Sequence, residues 1–153
     1  MGHYHWMRCE EAAISETGTI TVIIVDDQPP FRAVAQTVVR LAPGFEVVAE
    51  AESGEAAVVL VGALRPALVL MDINMPGIDG IEATRQITTL VPGTTVILLS
   101  TYDAASVPED AASCGAARYV NKESFSPSVL AEVWAEVGWG RSKATGSGPG
   151  EEA

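Results

Sequence analysis

Short, largely apolar runs alternate along this chain with stretches that carry the helical period, and that alternation limits the fold more than any other feature. Ile20 to Val25 reads Ile-Thr-Val-Ile-Ile-Val, rich in β-branched side chains and free of charge. A run of that length and composition predicts a strand buried on both faces. Phe45 to Glu50, Ala67 to Met71, Thr95 to Leu99 and the shorter Ala117 to Val120 read the same way. Between them, Phe31, Val34, Ala35 and Val38 fall at i, i+3, i+4 and i+7, the spacing of one helical face. Ala56, Val59, Leu60 and Ala63 repeat the spacing, as do Leu130, Val133, Trp134 and Val137. Ser53, and Asp79 with Glu82 three residues on, are placed to cap the second and third helices. Five strands thus alternate with five helices. Right-handed crossovers then require a five-stranded parallel sheet with helices on both faces, an α/β fold.

In such a sheet the working site lies at the carboxyl ends of the strands, near the point where the strand order reverses. The first strand ends in Asp26-Asp27 and the third in Asp72. The fourth ends in Ser100-Thr101, and Lys122 follows the fifth. Three carboxylates packed together repel one another and need a cation to ionise at once. Oxygen ligands alone favour Mg²⁺ or a similar hard ion. An ammonium and a hydroxyl directed at the same place suit the oxygens of a phosphoryl group.

Asp26-Asp27, Met71-Asp72-Ile73-Asn74-Met75-Pro76-Gly77-Ile78-Asp79-Gly80, Ser100-Thr101 and Tyr119-Val120-Asn121-Lys122 together resemble a response-regulator receiver domain of two-component signalling, over about residues 19 to 137. Phe45-Glu46-Val47-Val48-Ala49-Glu50-Ala51 and Gly80-Ile81-Glu82-Ala83-Thr84-Arg85 resemble the LuxR/NarL-type subfamily, whose members usually carry a DNA-binding domain. The resemblance implies a flavodoxin-like, doubly wound (βα)5 fold. It implies that Asp72 is the phosphoacceptor, receiving a phosphoryl group from the phosphohistidine of a sensor histidine kinase. It implies Mg²⁺ as cofactor, held by Asp27, Asp72 and the Asn74 backbone carbonyl, with Asp26 acting through a bound water. Lys122 and Ser100 would meet phosphoryl oxygens, and the backbone N–H groups of Asn74 and Thr101 would complete the cradle. Ser100 and Tyr119 would switch the face built from the fourth helix, fifth strand and fifth helix. The domain would be a phosphoacceptor switch rather than an enzyme with an external substrate.

Several residues depart from the family pattern. Ser100 stands where threonine is commoner but keeps the hydroxyl, and Glu123 stands where many receivers have proline. Pro108 falls where relatives have a helix interior; Ser106-Val107-Pro108-Glu109 fits a late capping box, so a short fourth helix is expected from near Val107. Tyr102 and Asn74 sit where receiver relatives tune access of the hydrolytic water, and Tyr102 is expected to slow self-dephosphorylation. A haloacid-dehalogenase-like phosphatase would also use Asp, Lys and a hydroxyl on a parallel sheet. It needs a second Asp two residues after the nucleophile, where this chain has Asn74. A receiver-like interaction module that works without phosphate is the remaining alternative.

Composition narrows the partners. Asp plus Glu number 20 against 9 Lys plus Arg, a formal charge of −11, which argues against nucleic-acid binding by this chain. No run approaches the roughly 18 apolar residues that would suggest a membrane span. Cys9 and Cys114 give no disulfide framework, as expected of reduced thiols in a cytoplasmic protein. Residues 1–18 read as a polar leader, in which His3, His5 and Cys9 could together grip a metal, although two histidines and a cysteine in such a leader more often do nothing. Residues 138–153, rich in glycine, read as tail or linker with no output domain. The output is then either a separate protein target or a DNA-binding domain of a longer regulator. Homodimerisation on phosphorylation is expected by analogy with relatives.

Overall fold

A computed structural model gives the structure of the chain and describes residues 18–101, 111 and 113–146. The elements run β1 (Ile20–Val25), α1 (Pro29–Leu41), β2 (Phe45–Ala51), α2 (Gly54–Leu64), β3 (Leu68–Asp72), α3 (Gly80–Leu90), β4 (Thr95–Ser100), β5 (Arg118–Asn121), a 3-10 turn at Lys122–Ser124 and α4 (Pro127–Gly146). All five strands are parallel, in the order β2-β1-β3-β4-β5. The expected α/β sheet is therefore the observed one. The strand order reverses between β1 and β3, and there the crevice for a ligand opens. The short helix expected from Val107, together with Tyr102 and the leader's His3, His5 and Cys9, lies outside the described residues.

The core has two layers because each helix buries one stripe against one face of the sheet. Ala35, Val38 and Val39 of α1 and Leu130 and Val133 of α4 pack on Val22, Ile24, Leu68, Leu70, Ile97 and Leu99. On the opposite face, Ala57 and Val61 of α2 and Ile81, Ala83 and Ile87 of α3 pack on Ile23, Val25, Val69, Met71, Val96 and Leu98. The two sets alternate along each strand, as side chains on successive residues must. Ser53 caps α2 by accepting from the Ala56 N–H, and Asp79 caps α3 by accepting from the Glu82 N–H, both as the sequence predicts.

Two expectations need correction. The second and fifth strands are not buried on both faces: β2 alternates half-buried and exposed residues as far as Glu50, and Arg118 of β5 is exposed. Both are edge strands, and only the central β1, β3 and β4 are covered above and below. The apolar stripe of α2 is also rotated from the expected one, since Gly54, Ala57 and Val61 face the core while Val59 is 72% exposed. In α1, Val34 is half exposed and Val39 is buried in its place. Helix α4 runs to Gly146, overlapping the glycine-rich stretch from 138 that reads as tail or linker. Gly138 and Gly140 weaken a helix by about 1 kcal/mol each but do not break it, and no proline intervenes.

Candidate functional site

Val25 of β1 lies in register with Met71 of β3, so the next residues, Asp26 and Asp72, emerge side by side at the crevice. Asp26, Asp27 and Asp72 each bring a carboxylate oxygen to a cluster whose members lie within 4.8 Å of one another. Asp26 is 1% exposed and Asp72 is 5% exposed, so neither is an ordinary surface acid. The Lys122 Nζ donates to Asp26 Oδ2 at 2.6 Å and lies 3.3 Å from Asp72 Oδ1. That lysine is delivered by the 3-10 turn after β5, which Asn121 caps by accepting from the Glu123 N–H.

The remaining expected residues fall around this cluster. Asp72 pairs in register with Leu99, which places Ser100 one residue further along the neighbouring strand, buried. Ser100 pairs with Asn121 across β4 and β5, and Thr101 follows it at the surface. The Asn74 N–H bonds to the Asp72 carboxylate, and the Asn74 side chain is exposed. Tyr119 is half-buried beside Leu98, packed on the layer beneath α2 and α3. It stands further from the crevice than the others, two residues before Asn121.

Electrostatics single out Asp72. Burial, reinforced by the Asp26 charge, pushes its carboxyl up to about 6, against the opposing pull of Lys122 and the Asn74 N–H. A buried carboxyl held partly protonated beside two other acids is one that a divalent cation would ionise. The donor set, oxygen atoms only, fits a hard ion such as Mg²⁺.

Two glycines shape the loop after Asp72. A Cβ on Gly80 would collide with the Asp72 carbonyl oxygen and come within 2.9 Å of its carbon, so only glycine lets α3 start so close to β3. Gly77 sits at φ +81° against the Glu55 carboxylate, and Glu55 accepts from the Ile78 N–H at 3.1 Å. Sequence reasoning missed Glu55, and also Phe31 and Arg32 of α1. The Arg32 Nη1 donates to the Asp26 carbonyl at 2.7 Å and its Nε bonds to Glu50 at 3.2 Å. Phe31 lies beneath Lys122, its ring centroid 4.5 Å from Nζ. A basic or aromatic residue in the first turn after the acidic pair was the available signal for both.

The family model for the response regulator receiver domain matches residues 22–134. The chain belongs to the response-regulator receiver family. Within that family, the transcriptional regulatory protein DegU of Brevibacillus brevis is 39% identical over 114 residues, 74% of this chain and 48% of DegU. A protein-glutamate methylesterase/protein-glutamine glutaminase of Myxococcus xanthus is 46% identical over 82 residues, 54% of this chain and 23% of that protein. The crystal structure of a LuxR-family two-component response regulator from an Aurantimonas species superposes with a TM-score of 0.73 at 32% identity, covering 80% of this chain and 87% of the other. The receiver spans about half the length of DegU, the first of these relatives, so it is the receiver portion of such a regulator that it matches. Receiver domains generally bind Mg²⁺ at an acidic pocket, and an acidic cluster is present in this one. No helix among the described residues is long and apolar enough to cross a membrane.

Proposed function

We propose that this receiver accepts a phosphoryl group on Asp72 from the phosphohistidine of a sensor histidine kinase and uses the modification to control an output. The observation that carries the reading is the convergence of the Asp26, Asp27 and Asp72 carboxylates within 4.8 Å of one another, with Lys122 in contact with two of them. Asp72 is the nucleophile, and its carboxylate oxygen attacks phosphorus in line with the leaving imidazole. Asp27, Asp72 and the Asn74 backbone carbonyl would hold Mg²⁺, with Asp26 contributing through a water. The ion, when bound, neutralises charge on the carboxylates and on the phosphoryl oxygens. Lys122 turns an N–H from the acids toward one phosphoryl oxygen. The Ser100 hydroxyl and the N–H groups of Asn74 and Thr101 take up the others, so the chain's contribution is positioning and charge stabilisation.

The output follows from a population shift. Movement of the Ser100 hydroxyl toward phosphate favours an inward Tyr119, which alters the surface of β5, of α4 and of the segment between β4 and β5. That surface would act on a DNA-binding domain or on a separate protein target in the cytoplasm, and this chain would make no direct nucleic-acid contact. A phosphatase acting on external substrates is disfavoured by Asn74, which offers no general acid two residues after the nucleophile. Incubation with acetyl phosphate and Mg²⁺ should add one phosphoryl group, labile to mild base and hydroxylamine, as read by intact mass. The Asp72→Asn protein should gain none; label retained in that variant rejects the assignment.

A further inference from the structure

The geometry points to Phe31 as a positioning residue for Lys122, its ring face holding the ammonium at the phosphoryl site. This extends the phosphoacceptor reading above and rests on it for its catalytic consequence. Three groups surround the Lys122 Nζ: Asp26 Oδ2 at 2.6 Å, Asp72 Oδ1 at 3.3 Å and the Phe31 ring, with its centroid at 4.5 Å. The third is not a hydrogen-bond acceptor of the ordinary kind. An aromatic face attracts a cation through its quadrupole without claiming a particular N–H. The ammonium is therefore steadied from beneath while its donors remain available, first to the acids and then to an incoming phosphoryl oxygen. Lysine needs such a support more than arginine does, because its charge sits at the end of a flexible four-carbon stem.

The ring is itself fixed. Pro29 and Pro30 occupy the first turn of α1, and the Gln28 carbonyl accepts from both the Phe31 and Arg32 N–H groups at 3.1 Å. Arg32 ties that turn to the end of β1 through the Asp26 carbonyl, and to β2 through Glu50. On the other side, Phe31 tilts at 41° against Phe125, centroids 6.4 Å apart. Phe125 is buried and closes the turn that carries Lys122, its N–H bonding to the Lys122 carbonyl at 3.3 Å. One ring thus touches both the charge of Lys122 and the segment that delivers it. A residue that only filled the core would have no reason to present its face to the charge.

The chain has two lysines, Lys122 and Lys143, so labelling lysine with ¹³C at Cε gives a two-signal spectrum in the intact protein. Protons above a ring face resonate upfield. The Lys122 Hε signal should be displaced upfield in the wild type and in Phe31→Tyr, and should lose that displacement in Phe31→Leu, which keeps an apolar side chain of similar reach. Phosphorylation by acetyl phosphate at saturating Mg²⁺ should slow by about three- to ten-fold in Phe31→Leu and recover in Phe31→Tyr, the range expected for one partly desolvated cation–π contact. Thermal unfolding of each variant identifies any loss due to misfolding, and the tyrosine protein tests the ring where leucine fails to fold. An undisplaced Lys122 signal in the wild type overturns the placement. Equal rates in wild type and Phe31→Leu, or failure of a folded Phe31→Tyr to recover the rate, overturn the positioning role. Absence of phosphorylation in the wild type rejects the phosphoacceptor reading and the catalytic role together, while the Hε shift reports the placement of Lys122 independently.

Discussion

Asp72 sits where burial and the Asp26 charge both oppose its ionisation, and its pKa is raised to about 6 from an ordinary value of 3.8. A carboxyl whose pKa is higher in the fold than in the unfolded chain favours folding in its protonated form. Its contribution to stability is fully present below about pH 4 and is lost as pH rises through about 6. Each pH unit of displacement corresponds to about 1.4 kcal/mol, and water at the crevice screens part of it, so the loss is on the order of 2 kcal/mol. Asp72→Asn removes this dependence. In chelator-treated protein, urea unfolding should show the variant gaining on the wild type between pH 4 and pH 7; a constant difference across that range would contradict the raised pKa. Gly80 is the other residue whose role is fixed by contact. A methyl there would meet the Asp72 carbonyl, so Gly80→Ala should cost at least about 2 kcal/mol, in the range of an overpacked core, and broaden the amide resonances of residues 72–80. An alanine variant as stable as the wild type would show that α3 can retreat from β3.

Helix α2 meets the sheet through Gly54, Ala57 and Val61, mostly small residues, and this explains which part of the pattern the sequence conceals. In α2, Ala56, Ala57, Val58, Val59, Leu60 and Val61 follow one another, so apolar spacing fits more than one face. Packing chooses Gly54, Ala57 and Val61 because a Cβ on Gly54 would already press on Ile78 at 2.7 Å, which brings that edge of the helix nearest the loop after Asp72. Val59→Glu should therefore change stability by no more than about 0.5 kcal/mol, whereas Val61→Ala should cost roughly 2 kcal/mol. Equal losses at the two positions, measured by chemical denaturation, would restore the face inferred from spacing. The strands were easier to read. β1, β3 and β4 are nearly continuous apolar runs because both faces are covered, and the acids stand out where β1 and β3 stop. β2 and β5 carry Glu46, Glu50 and Arg118, the charges that mark an edge, yet their remaining residues match a buried strand. Asp26, Asp27, Asp72 and Lys122 were legible because strand ends fix where they project. Phe31, Arg32 and Glu55 were not, since each acts through a partner at least 18 residues away in sequence, which periodicity does not report: Lys122, Glu50 and Ile78.

At the scale of the whole molecule, acids exceed bases by 20 to 9, and a net negative field of that kind attracts cations. Most charged side chains among the described residues are exposed, and their fields are screened by salt within about 8 Å at physiological ionic strength. The crevice differs because two of its three acids are buried and one cation, Lys122, faces them. A divalent ion bound there stabilises the fold by mass action, by about 2.7 kcal/mol at a concentration one hundred times its Kd. Protons compete with it for Asp72, whose pKa of about 6 sets the window. Mg²⁺ should therefore raise the melting temperature at pH 8, with a smaller rise at pH 5, and monovalent salt of equal ionic strength should not reproduce the difference. Asp27→Ala removes one carboxylate of the cluster from a half-buried position without opening the core, so it should fold normally and lose most of the Mg²⁺ response. Scanning calorimetry with and without chelator at both pH values measures the effect. A Mg²⁺ response of equal size at the two pH values, or one retained in Asp27→Ala, would mean that the ion acts on the general acidic surface and that the strand-end cluster is not its site.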